Sequence, residues 1–255
     1  MLFTSHFNTC SLSQKSKKTF LQNTQHGIVM VLIAFIGCHL GTTQAQTKTP
    51  DWTRWFADGT YDGFKVVSGT ATFEIHNGIL IGTTADDSPN TFLATAEPVG
   101  DFELLFEVFT DEKLNSGVQV RSHLAAAGDV PPSATRKEPL APGQLYGPQC
   151  EIAIDGTAGD FWDEARRRNW WSTLTETQGV RTDEARNAYK KGEWNAYRIL
   201  VEGDHYRSWV NDVPTADFRQ PHDPKGHIGF QVHRIKPGTG PYSVRWRNVT
   251  FRSLD

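Results

Sequence analysis

Short alternations of apolar and polar residues, separated by turn residues, follow one another from residue 51 to the end of the chain. In the clearest of them, residues 101–109, four large apolar side chains share one parity: Phe102, Leu104, Phe106 and Val108. A period of two places alternate side chains on opposite faces of a β-strand. Helical patterns are few, with two turns predicted at 183–190 and one at 163–168. Many short strands with little helix predict an all-β jelly-roll β-sandwich.

The predicted strands are joined by residues that favour turns. Asn77-Gly78 is typical of the tight turn of a hairpin. In the last strand the apolar parity changes after Trp246, which predicts a β-bulge near Arg247 and Asn248. The strands are predicted at 71–75, 79–82, 101–109, 117–123, 150–154, 194–201, 206–210, 226–235 and 243–254.

The first 45 residues have a different character from the rest. Basic residues precede an apolar run at 28–40, and small and polar residues follow it. This order predicts a secretory signal over 1–45 and one folded domain over 46–255. The apolar run is shorter than the roughly 20 residues that span a bilayer, so no transmembrane span is expected. The protein is therefore expected to be exported, and to be periplasmic, on the outer surface or secreted.

Two ways of processing this segment stay open. Cleavage after Ala45 would release a free protein. Alternatively, Phe35-Ile36-Gly37-Cys38 is similar to a bacterial lipobox, and a lipid anchor at Cys38 would tether the domain without a span. Cys150 is the only cysteine after residue 45, so we expect no internal disulfide in the folded domain.

The charge pattern argues against one class of partner. The chain has 26 basic and 29 acidic residues, a net charge of −3. Basic residues do not cluster with interleaved aromatic residues, so nucleic acid is not an expected partner.

Three predicted strands carry unusual polar residues opposite their apolar face. Glutamine, arginine, histidine and glutamate alternate with apolar residues there, and lysine is absent. These groups form paired hydrogen bonds with sugar hydroxyls or with a carbonyl oxygen, so the pattern favours a ligand site. A solvated outer sheet face is the alternative. The residues are Gln119, Arg121 and His123, then Gln149 and Glu151, then Gln231 and His233.

A second candidate region covers residues 160–171. It contains acids, three arginines and the tryptophans Trp162, Trp170 and Trp171. Aromatic rings stack on the apolar faces of sugars, while carboxylates and arginines such as Arg167 take the hydroxyls. The alternative is a helical turn whose acids and arginines pair at a spacing of four residues.

A conventional glycosidase needs two carboxyl groups about 5 to 10 Å apart. After Glu151 the next acid is Asp155, which lies roughly 13 Å further along an extended strand. The sequence therefore disfavours a two-carboxylate mechanism built on this strand.

Six segments occur in the order and spacing of a known family. Together they resemble the 3-keto-disaccharide hydrolase domain, over about 52–254. The resemblance implies a concanavalin-like jelly roll and cleavage of glycosides that are oxidised at C3. Pro148, Cys150, Asp160-Phe161 and Asn211-Asp212 depart from the pattern. The segments are 115–123, 146–152, 192–195, 209–211, 229–233 and 244–249.

The chemistry of such a substrate needs only one base. A ketone at C3 acidifies the hydrogen on C2, whose removal expels the C1 substituent, and water adds afterwards. Glu151 or His233 is the expected base, with Arg121 or a divalent metal at the enolate. Asp163 or Glu164 would assist the leaving group.

The residues leave other roles open. His123, Glu151 and His233 could together ligate the divalent metal. Glu151 could instead be a structural carboxylate paired with Arg121.

Two other functions are compatible with the same residues. A non-catalytic carbohydrate-binding module would use the same face and the three tryptophans as a stacking platform. A structural surface domain would have no affinity for sugar.

Overall fold

The computed structural model describes residues 51–131, 138–171 and 182–255. The predicted signal segment and the lipid attachment at Cys38 lie outside the described residues. The strands are β1 Thr53–Arg54, β2 Phe64–Val67, β3 Thr72–His76, β4 Ile79–Thr83, β5 Thr91–Thr95, β6 Phe102–Thr110, β7 Ser116–Leu124, β8 Leu145–Ile152, β9 Phe161–Glu164, β10 Asn195–Glu202, β11 His205–Val210, β12 Val213–Arg219, β13 His227–Val232 and β14 Ser243–Ser253.

These strands form two antiparallel sheets. The larger has the order β12-β11-β10-β6-β14-β4-β3, with β1 also pairing with β14. The smaller has the order β2-β5-β13-β7-β8-β9. In the described ranges the helical content is one short helix, α1, Asp183–Arg186. The all-β jelly-roll sandwich predicted from the alternation is confirmed.

The core lies between the two sheets. The apolar face predicted for β6 points into it, since Phe102, Leu104, Phe106 and Val108 are at most 2% exposed. Trp246 and Phe230 face it from β14 and β13 and pack edge to face, 5.5 Å between ring centroids. Cys150 is buried here as a free thiol. Burial of large side chains at roughly 1.5–3 kcal/mol each holds the sandwich together.

Several local predictions agree with the structure. Asn77 and Gly78 have positive φ angles, as the tight hairpin turn between β3 and β4 requires. The predicted bulge in β14 occurs where Asn248 has φ 52° and the register with β6 shifts. Helix α1 falls within 183–190. Its N-cap residue is Thr182, whose hydroxyl oxygen accepts a hydrogen bond from the Ala185 N–H.

Other predictions were wrong. The helical turn at 163–168 is instead the end of strand β9 and a turn in which Ala165 and Arg168 have positive φ. Strand β8 begins five residues earlier than predicted, despite Pro148. Strands β1, β2, β5, β9 and β12 were missed. Strand β5 is buried on both faces, so its sequence shows no alternation.

Strand β7 contains a bulge that decides which residues reach the site. Gln119 lies opposite Gln149, but His123 lies opposite Tyr146, so β7 has one extra residue here relative to β8. The same extra residue appears against β13. Arg121, with φ 45°, sits in the bulge. Across from it is Pro148, which has no N–H to donate to a regular ladder. Beyond the bulge the parity of β7 is reversed.

Within the described residues, no helix has the length and apolar character needed to cross a membrane.

Candidate functional site

A cavity of about 530 Å³ lies on the face of the smaller sheet that is turned away from the core. Its floor is formed by β8 and β13. Ala141 and Pro142 form part of one wall, at the end of the long segment between β7 and β8. Trp162 and Trp170 line another wall, with ring centroids 5.1 Å apart in an edge-to-face arrangement.

Glu151 is held on the floor by two amide side chains. Gln149 donates from Nε2 to Oε1 at 2.7 Å, and Asn115 donates from Nδ2 to Oε2 at 3.3 Å. Burial raises the pKa of Glu151 to about 8. The two hydrogen bonds favour the carboxylate and lower the pKa, but their effect is smaller. Close to neutral pH this carboxyl group is therefore mostly protonated.

A glycine makes room for this arrangement. Gly117 lies directly opposite Glu151 on the neighbouring strand. A Cβ atom at this position would lie 2.6 Å from the side-chain Cδ of Gln149. The missing side chain therefore lets the Gln149 amide lie across β7 and reach Glu151.

His233 follows β13 and lines the same cavity. Its Nδ1 lies 2.7 Å from the carbonyl oxygen of Arg234. Since a carbonyl oxygen only accepts, the neutral ring carries its proton on Nδ1, which leaves Nε2 with a lone pair. Burial lowers the pKa of His233 below its usual 6.5. The neutral imidazole is therefore the form present at pH 7.

Glu164 is a second carboxyl group in the cavity. Asn90 donates to its Oε1 at 3.2 Å. Burial raises the pKa of Glu164, although the bond from Asn90 opposes this change. Glu151 and Glu164 come from neighbouring strands, which the spacing along one strand did not anticipate.

Two further glutamines predicted as ligand-binding residues are fully buried on this face. Gln231 lines the cavity, and among the described residues neither atom of its amide has a hydrogen-bond partner. Gln119 has the predicted parity, and its Oε1 accepts a hydrogen bond from the Ser122 hydroxyl. Gln119 does not line the cavity.

The structure corrects the placement of Arg121. It is fully buried and does not line the cavity. Its Nε donates to the carbonyl oxygen of Gly100 at 2.7 Å, and its Nη2 pairs with Asp101. Because the bulge turns it off the predicted face, Arg121 pairs neither with an enolate in the cavity nor with Glu151.

The bulge also moves His123. Its Nε2 lies 2.8 Å from Oδ1 of Asp223, outside the cavity. His123, Glu151 and His233 are therefore not brought together as metal ligands. In the part of the chain that the structure describes, no group of three or more His, Cys, Asp or Glu side chains is placed to hold a metal ion. These residues do not fit the predicted metal site.

Three predictions in the 160–171 region also need correction. Asp163 is fully buried and pairs with Arg166 at 2.9 Å and Arg167 at 2.6 Å, away from the cavity. Arg167 lies over the ring of Trp171, 4.7 Å from its centroid, rather than facing a ligand. Trp171 is itself fully buried in the core. Of this region, Trp162, Glu164, Ala165, Arg168 and Trp170 reach the cavity.

The sequence reasoning missed some residues of the site. Asn115 has the same parity as Gly117 and Gln119, so extending the alternation by one step would have found it. Asn90 precedes the unpredicted strand β5, and no sequence signal points to it. Arg168 and Arg234 also line the cavity and are solvent-exposed.

Comparisons with known proteins give a family match. A family model described as a 3-keto-alpha-glucoside-1,2-lyase-like domain matches residues 51–252. No match was found among curated proteins.

Several solved structures are similar in fold. A "putative glycosyl hydrolase" from Parabacteroides distasonis is 17% identical with a TM-score of 0.51, over 80% of this chain and 94% of that chain. The β-glucanase of Bacillus licheniformis is 8% identical with a TM-score of 0.51, over 82% and 100%. The carbohydrate binding module CBM66 from Bacillus subtilis is 15% identical with a TM-score of 0.49, over 78% and 99%. At these identities the two likenesses with a TM-score of 0.51 show the jelly-roll fold alone.

Proposed function

We propose that this chain, which belongs to the 3-keto-alpha-glucoside-1,2-lyase-like domain family, cleaves glycosides whose sugar is oxidised to a ketone at C3. One observation carries the proposal: a histidine and a glutamate in one cavity have pKa values moved in opposite directions, so that one can accept a proton while the other donates one. The activity belongs outside the cytoplasm, as the predicted signal segment indicates.

His233 is the base in this proposal. Its lowered pKa keeps the ring neutral at pH 7, and the contact to Arg234 leaves Nε2 free to take the hydrogen from C2. The electrons of the C2–H bond then form a C2–C3 double bond, and the C3 oxygen becomes an enolate.

Glu151 is the acid. The enolate collapses, the C3 carbonyl and a C1–C2 double bond form, and the C1–O bond breaks. The leaving oxygen takes the proton of Glu151. The contact to Oε2 is longer than the contact to Oε1, so Oε2 is the better site for this proton. Addition of water across C1–C2 then gives the free keto sugar, so the net reaction is hydrolysis.

The remaining cavity residues fit the leaving part of such a substrate. Trp162 and Trp170 form an aromatic wall on which a second sugar or another ring can stack. Glu164 lies on β9 two residues after Trp162, opposite Gly147 of β8, and can accept hydrogen bonds from hydroxyls or assist protonation.

The test uses a 3-keto-glycoside and its unoxidised parent, incubated with the purified protein in D₂O. We expect release of the aglycone from the ketone only, and a product that carries deuterium at C2. His233→Gln should lose at least about 10²-fold in turnover, the usual contribution of a general base. The exposed His76, whose side chain is 64% accessible, provides the matched control His76→Gln.

Each of two other outcomes would indicate a different function. Equal release from both glycosides, without deuterium at C2, would mean ordinary hydrolysis. Binding of sugar without release would mean a carbohydrate-binding module. Both outcomes contradict the elimination.

A further inference from the structure

Among the described residues, Gln231 is the buried side chain that has two polar atoms without a hydrogen-bond partner. The residue is fully buried, yet among the described residues neither Nε2 nor Oε1 has a hydrogen-bond partner. A buried amide left without partners costs about 1–3 kcal/mol. Because Gln231 also lines the cavity, this cost is recovered when a ligand bonds to the amide.

The neighbours of Gln231 in the sheet explain why it is unpaired. Phe92 lies directly opposite it on β5 and offers no polar group. On β7 the adjoining register position is Gly117, which has no side chain, and Gly117 in turn faces Glu151. Gln231 and Glu151 therefore flank Gly117, with backbones roughly 10 Å apart at the usual spacing of strands.

A third unpaired atom faces the same gap. The Gln149 amide lies across Gly117, and its Oε1 has no partner among the described residues, while its Nε2 bonds to Glu151. One unpartnered donor and two unpartnered acceptors thus lie around Gly117.

We propose that Gln231 donates from Nε2 to the C3 carbonyl oxygen of the substrate and stabilises the enolate that forms there. This inference rests on the proposed elimination and names the residue that distinguishes a keto sugar from its parent. Gln231 takes the role at the enolate that the sequence assigned to Arg121, which the bulge places outside the cavity.

The position of Gln231 relative to the base supports this role. His233 is two residues further along the same face, roughly 6.6 Å away at the rise of an extended strand. The hydrogen that His233 removes is on the carbon next to the carbonyl. His233 therefore lies on the same face as a carbonyl oxygen held by Gln231, at a separation that fits removal of a hydrogen from a neighbouring carbon. The Ser116 hydroxyl donates to the backbone oxygen of Gln231 at 2.7 Å and fixes the strand.

The test measures recognition and turnover separately. Gln231→Met keeps the size of the side chain and removes both hydrogen-bonding groups. It should lower kcat/KM for the 3-keto-glycoside about 10²- to 10³-fold, as loss of one oxyanion donor does. Calorimetry in a His233→Gln background, where turnover is blocked, should show that the preference in Kd for the keto sugar over its parent is lost.

Gln144 provides a matched control within the cavity. Its Oε1 already accepts a hydrogen bond from the Ala141 N–H at 3.3 Å, so Gln144→Met should keep the preference. Gln231→Leu, which also removes both hydrogen-bonding groups, serves if the methionine variant does not fold.

Failure of this inference can be distinguished from failure of the proposed function. If the Gln231 variants fold and keep both turnover and preference, another residue holds the carbonyl, and the elimination still stands. If the wild type cleaves neither glycoside, the elimination is wrong, and the Kd ratio alone decides the role of Gln231. Equal affinity of the wild type for both sugars would overturn the proposed role of Gln231.

Discussion

Glu151 and His233 respond in opposite ways to the same loss of solvent. Burial disfavours the charged form of each group, which raises the pKa of a carboxyl and lowers that of an imidazole. The alternation in the sequence placed both residues on one face but left open which of them was the base. Their burial in the folded cavity supports His233 as the base and Glu151 as the acid.

This assignment predicts a bell-shaped pH profile of kcat/KM. Activity should rise as pH passes the pKa of His233, below 6.5, because the base must be neutral. It should fall as pH passes the pKa of Glu151, about 8, because the acid must be protonated. The measurement is kcat/KM for a 3-keto-glycoside from pH 5 to about 10.

A substrate with a good leaving group separates the two limbs. A nitrophenolate needs little protonation, so Glu151→Gln should still cleave the nitrophenyl keto glycoside, without the alkaline limb. It should cleave a disaccharide poorly. An alkaline limb that persists in Glu151→Gln would assign it to a different group.

At the scale of elements, strand β7 shows how one extra residue divides a set of candidates. Before the bulge, Asn115, Gly117 and Gln119 keep the parity of the cavity face. After it, the parity is reversed, and His123 bonds to Asp223 instead. The alternation along β7 cannot reveal this change. The bulge involves Arg121 on β7, with its positive φ, and Pro148 on the neighbouring strand β8.

The close packing at Gly117 allows a test of this element. Gly117→Ala should fold, since the three atoms nearest to the added Cβ all belong to the flexible side chain of Gln149, from Cγ outward. It should displace the Gln149 amide from Glu151. Because that hydrogen bond lowers the pKa of Glu151, its loss should move the alkaline limb of kcat/KM above pH 8.

The matched comparison is Gln149→Met, which removes the same bond without opening the site. It should move the alkaline limb in the same direction as Gly117→Ala. An unchanged limb in both variants would mean that Gln149 does not influence the titration of Glu151.

At the scale of the whole molecule, Arg121 connects the two sheets. It belongs to β7 of the smaller sheet and bonds to Gly100 and Asp101, just before β6 of the larger one. Its Nη1 also donates to the backbone oxygens of Gly203 and Asp223. A buried cation with this many acceptors is structural.

Arg121→Met should therefore lower the free energy of unfolding by about 3 to 5 kcal/mol, because the buried acceptors lose their partner. Urea unfolding measures this loss. Arg219 pairs with Asp204 at the surface, with a side chain that is 66% exposed, so Arg219→Met should change stability by less than about 1 kcal/mol.

The pH profile checks the same point. The folded fraction of Arg121→Met should keep both limbs of the wild-type profile. Normal stability with lost turnover would instead return Arg121 to the catalytic role that the alternation predicted.

The sequence by itself determined the sandwich and much of its cavity face. Period-two alternation is a local property. It placed Gln149, Glu151 and Gln231 on the cavity face because their strands are regular where these residues lie, and His233 directly follows β13 on the same face. The family resemblance, carried by six short segments, is confirmed over residues 51–252.

Only the tertiary structure decided which candidates reach the cavity. Arg121, His123 and Trp171 were equally good candidates by residue type, but each has partners from distant parts of the chain. Asp163 and Arg167 instead pair with each other, away from the cavity. Asn90 reaches Glu164 from 74 residues away. Such contacts, and the pKa shifts that burial produces, depend on how the strands pair and how the loops fold over them. A pattern along one strand contains no information about either.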